Sequence, residues 1–123
     1  METKIWRPTN LYGKYEIGKG TRIGAFCDIS GKIGKNCVIQ TMVSVPHLTI
    51  IEDNVFLGPG VKIANDKQMD GNLKGTIIKK GAKIGMGVLI GAGLVIGERA
   101  IIGMGSILLK DVPDDTKVVG LWK

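Results

Sequence analysis

The chain holds one histidine, His47, and 18 residues after it comes the pair Asn65-Asp66. An imidazole takes up a proton near neutral pH and hands it on. An amide beside a carboxylate can orient a nucleophile that carries N–H or O–H groups. Lys110, much further along, offers the kind of point charge that holds a phosphate. Such a set suits the movement of a chemical group onto a nucleophile that sheds a proton. Metal chemistry is not indicated: beside the one histidine there are only Cys27 and Cys37, without zinc-ligand spacing. These residues lie far apart in sequence, so they act together only if the chain stacks them.

The stacking device is a rhythm of six. Aliphatic residues fall at Ile5, Leu11, Ile17, Ile23 and Ile29, then after one step of four at Ile33, Ile39, Val45, Ile51, Leu57 and Ile63. The series resumes at Ile78 and runs through Ile84, Ile90, Ile96, Ile102 and Leu108. A second set of small or apolar residues lies four places after each anchor, among them Cys27, Cys37, Val43, Val55, Ala82 and Val88. Four after one anchor is two before the next. Strand side chains alternate faces, so both sets point inward.

Each hexad therefore reads as a short strand and a corner. The glycine that often follows the anchor, as at Gly18, Gly58 and Gly85, reads as a residue tolerant of unusual corner angles. A helix is excluded, because a period of six smears around the helical turn and 19 glycines would destabilise it. Three strands and three corners make a triangular coil of 18 residues, and successive coils pair as parallel strands.

Composition agrees. Hydrophobic content of 44% with only 5% aromatics means that many small aliphatic side chains build the core. A length of 123 residues suits one domain. The net charge of +6 favours an anionic partner. Apart from Lys79-Lys80 the lysines recur singly, without interleaved aromatics, so a small phosphorylated ligand is expected rather than nucleic acid. The opening "METKIWRPTN" has no signal-peptide core, and no apolar run approaches the ~20 residues of a membrane span. A cytoplasmic location without membrane contact is expected.

The rhythm breaks once. If Ile78 begins the hexad after that of Ile63, the step is nine residues too long, and residues 65–76 leave the prism as a polar loop. Long loops on rigid repeats tend to be functional. Residues 18 apart occupy the same place on successive coils, so Asn65 should lie above His47. Carrying that column past the excess gives Ala92 and then Lys110. The sequence thus predicts one corner bearing an imidazole, an amide, a small residue and a cation, with Asp66 beside the second.

Across residues 5–113 the hexads resemble the left-handed parallel β-helix of the hexapeptide-repeat acyltransferases. The resemblance implies an all-β fold of about six triangular coils in a single domain spanning 1–123, with one extended loop and a tail, 114–123, that caps the last coil or meets a partner. The left hand comes from the resemblance alone, since crossover preference argues for the right. More narrowly, Ile51-Glu52-Asp53, Gly58-Pro59 and Asn65-Asp66, with "IGAGLVIGERAIIGMGSILLKDVP", are similar to enzymes that acetylate amino groups on nucleotide-linked sugars. The loop lacks the Pro-Arg often found after Asn-Asp in that group, and "VVGLWK" replaces the usual Gly-x-Pro-Ala ending.

This resemblance implies acetyl-CoA as co-substrate, lying parallel to the prism axis with its thioester near His47, Asn65 and Asp66. Gly91, Ala92 and Gly93 would leave room for the pantetheine arm, and Lys110 would face the phosphates. Asn65 or Asp66 would hold the amine, His47 would accept its proton, and Glu52 and Lys67 would contact the acceptor. It also implies a homotrimer, with outward apolar residues such as Phe26, Phe56 and Leu89 covered along one wall. O-acetyltransferases of the galactoside and serine types carry a catalytic histidine in the loop, absent here, which favours an amine acceptor over a sugar hydroxyl. A scaffolding β-helix is the reading from another class. A γ-class carbonic anhydrase would need three histidines around a metal.

Overall fold

A computed structural model describes residues 2–123. Nineteen strands of two residues each wind into three parallel walls, with no helix among the described residues. Each of the seventeen anchors read from the sequence is the second residue of a strand. The first wall stacks Lys4–Ile5, Arg22–Ile23, Val38–Ile39, Phe56–Leu57, Lys83–Ile84, Ile101–Ile102 and Lys117–Val118. The second stacks Asn10–Leu11, Asp28–Ile29, Ser44–Val45, Lys62–Ile63, Leu89–Ile90, Ile107–Leu108 and Leu121–Trp122. The third has Glu16–Ile17, Lys32–Ile33, Ile50–Ile51, Ile77–Ile78 and Val95–Ile96, continued by a bridge from Ile96 to Val112. This is a left-handed parallel β-helix of about seven turns.

The core is one column of the inward residues, with Ile23, Ile29, Leu57, Ile78, Ile84, Ile96 and Leu108 fully buried. Full burial of a side chain this size contributes ~1.5–3 kcal/mol, and the repeat supplies it in every coil. Cys27 and Cys37 are buried free thiols whose Sγ atoms lie 3.2 Å from the Gln40 carbonyl and 3.1 Å from the Glu52 carbonyl. Burial pushes both thiols up from the ordinary range.

Three expectations need correction. The glycine after the anchor is not the residue at unusual angles. Positive φ falls two places later, at Gly20, Gly60 and Gly87, and at Asn36, Asn54, Met42 and Leu48 where side chains are present. The anchor-following glycine serves close approach instead: a Cβ at Gly58 would come within 2.7 Å of the Met86 nitrogen, and one at Gly85 within 2.7 Å of the Met104 nitrogen.

The tail does not simply end the coil. Lys117–Val118 pairs with Ile101–Ile102 and Leu121–Trp122 with Ile107–Leu108, because Leu108 to Val112 and Val118 to Trp122 are further steps of four. Finally, Phe56 and Leu89 sit on different walls and Phe26 on the corner between those walls, at a φ of 62°. They do not form one apolar face.

One buried polar group exposes the strain of the interruption. Thr21 and Thr76 precede strands, and each hydroxyl staples two coils: Thr76 Oγ1 donates to the Gly91 carbonyl at 2.8 Å and accepts from Leu94 N–H at 3.2 Å. Thr21 does the same with Gly34 and Cys37. Thr49 occupies the equivalent place one coil below Thr76, fully buried, yet its hydroxyl has no partner. Its counterparts would be the Ala64 carbonyl and the Thr76 N–H, and the chain leaves the prism between those two residues. Replacing Thr49 by Val is therefore expected to leave stability unchanged or raise it by about 1 kcal/mol, while Thr76→Val lowers it by ~1–3 kcal/mol. Urea unfolding of the two variants reads the contrast.

Candidate active site

The corner between the second and third walls carries the predicted column. Lys62–Ile63 pairs in register with Leu89–Ile90, and Leu89–Ile90 with Ile107–Leu108. Two places beyond each inward anchor lie Asn65, Ala92 and Lys110, and two places beyond Val45 lies His47. Asn65 Nδ2 donates to the His47 carbonyl at 3.0 Å, so the first two members of the column touch across adjacent coils. The contact is to the His47 main chain. It leaves the exposed imidazole at the mouth of the loop.

The loop is built around the same asparagine. The Asn65 carbonyl accepts from Lys74 N–H at 2.7 Å, closing the excursion on itself. Asp66 turns inward on the loop: its two carboxylate oxygens accept from Asp70 N–H at 3.1 Å and Gly71 N–H at 2.9 Å. These two bonds fix the loop backbone around the carboxylate. Where the chain rejoins the coil, Gly75 packs on the Leu48 carbonyl, a contact with no room for a side chain. Leu48 itself holds a φ of 74°, a strained value for a branched residue, directly after His47. Both ends of the loop are thus pinned to the His47 corner.

Above His47 an apolar groove of about 360 Å³ runs along the second wall. Ala64, Gly91 and Leu109 form its corner edge, and Lys62, Leu89 and Ile107 its floor. Gly91 N–H is committed to the Leu108 carbonyl at 2.9 Å. Ala92 is 8% exposed, and Gly93, at a φ of 69°, lies under the Lys74 side chain, where a Cβ would meet Lys74 Cβ at 3.2 Å. At the far end Lys110 is exposed and its ammonium lies 4.5 Å from the centre of the Trp122 ring, a cation–π contact. Trp122 is itself fixed by donation from Nε1 to the Asp111 carbonyl at 2.9 Å. The sequence reading missed this platform, because Trp122 reaches Lys110 only through two further steps of four, Leu108 to Val112 and Val118 to Trp122.

The remaining residues singled out lie elsewhere. Glu52 is on the corner between the third and first walls, where Oε1 accepts from Lys80 N–H at 3.0 Å. Beside it Asp53 Oδ1 accepts from Lys35 N–H at 2.8 Å, so the Glu-Asp pair caps neighbouring coils. Lys67 is exposed in the loop. Among the described residues, no group of three or more His, Cys, Asp or Glu side chains gathers where it could hold a metal ion.

Residues 75–110 match the family described as bacterial transferase hexapeptide (six repeats), and residues 16–45 match the hexapeptide repeat of succinyl-transferase. With the parallel triangular coil, these place the chain in the hexapeptide-repeat family of left-handed β-helix proteins. Among solved structures it is similar to a histidine-to-asparagine variant of perosamine N-acetyltransferase from Caulobacter crescentus in complex with CoA and GDP-perosamine. That likeness has 23% identity and a TM-score of 0.86, covering 98% of this chain and 54% of the other. WeeI from Acinetobacter baumannii is 30% identical with a TM-score of 0.80, over 93% of this chain and 53% of its own. AntD, an N-acyltransferase from Bacillus cereus in complex with dTDP and coenzyme A, is 23% identical with a TM-score of 0.87, over 96% and 75%. The chain spans about half the length of the first two. No curated protein matches it in sequence.

Proposed function

We propose that the chain is an acyl-CoA-dependent N-acyltransferase that acylates the amino group of a nucleotide-linked sugar. One observation carries this reading: the only histidine, bonded through its main chain to the loop-opening asparagine, shares its corner with Lys110, and an apolar groove runs along the wall beside that corner. The groove suits a pantetheine arm, and Lys110 on its indole platform suits the phosphates of coenzyme A. Complexes of the similar structures with coenzyme A, GDP-perosamine and dTDP support the same ligand classes.

The chemistry follows from the residues. The thiolate of coenzyme A is a good leaving group, so the protein must mainly hold a neutral amine against the thioester carbonyl. When the amine nitrogen bonds to that carbon, it becomes more acidic and its proton passes to the His47 imidazole. The carbonyl oxygen, negative at that moment, is met by N–H groups of the Ala92–Gly93 segment, since that of Gly91 is already used. The C–S bond then breaks and releases the thiolate. Asn65 positions His47. Asp66 shapes the loop, and Lys67 on that loop contacts the acceptor; Glu52 joins a site only where a neighbouring subunit of a homotrimer brings its corner near.

The test mixes the protein with acetyl-CoA and a panel of amino-sugar nucleotides and follows free thiol. Thiol release is expected only with an amino-sugar acceptor, and mass spectrometry should find the acetyl group on nitrogen. The buried Cys27 and Cys37 stay silent to the thiol reagent in the folded protein. No release across the panel together with no binding of coenzyme A would return the chain to a scaffolding role.

A further inference from the structure

The step of four between Ile29 and Ile33 has so far no role. On the corner below His47 only Ser30 and Gly31 make the turn, whereas residues 12–15 turn the coil beneath and residues 46–49 the coil above. The corner is therefore set back. A recess of about 380 Å³ opens there, lined by Ser30 and Gly31, by His47 and Leu48, and by Lys14 and Lys32. Ser30 and Gly31 are both buried. Gly31 permits the tightness, because a Cβ there would lie 2.7 Å from the Thr49 carbonyl and 2.9 Å from that of Pro46.

We propose that this recess binds the diphosphate of the acceptor nucleotide, with Lys14 and Lys32 as its cations. The inference rests on His47 being the transfer site. The corner column runs from His47 toward Lys110 through the later coils, with the groove on the wall beside it, while the recess extends from His47 toward the earlier coils. Acyl donor and acceptor then lie end to end along one edge of the prism and meet at the imidazole. The volume falls in the range of small-ligand sites.

One carboxylate is close: Glu16 pairs with Lys32 at 3.2 Å, the two side chains being 67% and 59% exposed. A pair so exposed is weak, and a multiply charged phosphate group displaces it. The short step thus removes two corner residues where an anion has to fit.

Titration calorimetry on the full chain tests this with UDP, GDP, dTDP and inorganic pyrophosphate, and with coenzyme A as the comparison ligand. Binding of at least one nucleoside diphosphate is expected, weakened by salt. The Lys14→Ala, Lys32→Ala double variant should weaken it on the order of tenfold and leave coenzyme A affinity unchanged. Glu16→Gln should tighten it, and Lys117→Ala, on the first wall, should do nothing. The proposal is overturned if the double variant binds like the parent, or if no probe binds. Lysine-dependent diphosphate binding without acyl transfer would sink the enzyme reading and keep the site. Transfer with an unaltered KM for the nucleotide sugar in the double variant would do the reverse.

Discussion

His47→Ala is expected to lower kcat for amino-sugar acylation by a factor of about 10² to 10⁴, the range for losing a general base. Binding of coenzyme A should be unchanged, because the groove is lined by other residues. The argument is one of elimination at the loop mouth. Asp66 is spoken for by two loop amides. Asn65 carries no basic group that could take up a proton, and its amide nitrogen is engaged with the His47 carbonyl. The imidazole is exposed at this cluster and is the side chain there of the kind that accepts a proton in general-base catalysis. Asp66→Asn should therefore act differently, loosening the loop and raising KM for the acceptor while kcat falls by less than roughly tenfold, since it removes charge-assisted hydrogen bonds and not the base. Steady-state kinetics on both variants, each checked for folding by circular dichroism, separates the roles. A His47→Ala enzyme that turns over within threefold of the parent would send the proton elsewhere.

How far the site could be read in advance depends on what each feature rests on. Corner membership follows from counting, so the stacking of Asn65 on His47 was legible in a spacing of 18 residues. What each side chain does at its corner was not. The carboxylate of Asp66 closes on amides four and five residues ahead, and whether it does so depends on the loop backbone, which no period encodes. Glu52 shows the same limit: its motif suggested acceptor contacts, and its carboxylate caps Lys80 on another corner.

The later steps of four were hidden for a different reason. A residue four places after an anchor points inward whether it closes one strand or opens the next. Val112 therefore satisfies both readings, and only its bridge to Ile96 shows that the third wall continues there. Trp122, one coil above Lys110, was hidden by that ambiguity and by a further step of four from Val118.

The second large effect concerns the place where the rhythm resumes. Ile78→Ala is expected to destabilise the protein by about 2–5 kcal/mol, the usual range for truncating a fully buried isoleucine. Ile78 has no exposed surface and pairs in register with Ile51 below and Ile96 above. A solenoid gains stability from contacts between neighbouring coils, so a cavity in a central coil weakens the stacking on both sides. For a chain of this size the loss corresponds to a fall in Tm of roughly 10 °C or more. Ile17→Ala removes the same atoms on the same wall, but in the first coil, where the residue is only partly buried, and should cost less. Ile78→Val, which keeps the β-branch, should lose only about 0.5–1.5 kcal/mol. The position also ties stability to function. Ile78 lies two residues after Thr76, whose hydroxyl staples the rejoining chain to Gly91 and Leu94, so a loosened Ile78 frees the loop stem that pins Leu48 beside His47. Thermal and urea melts of the three variants, run with the acylation assay, test the coupling. A loss below 1 kcal/mol for Ile78→Ala would mean that the strand after the loop stacks in a different register, and the column from His47 to Lys110 would fall with it.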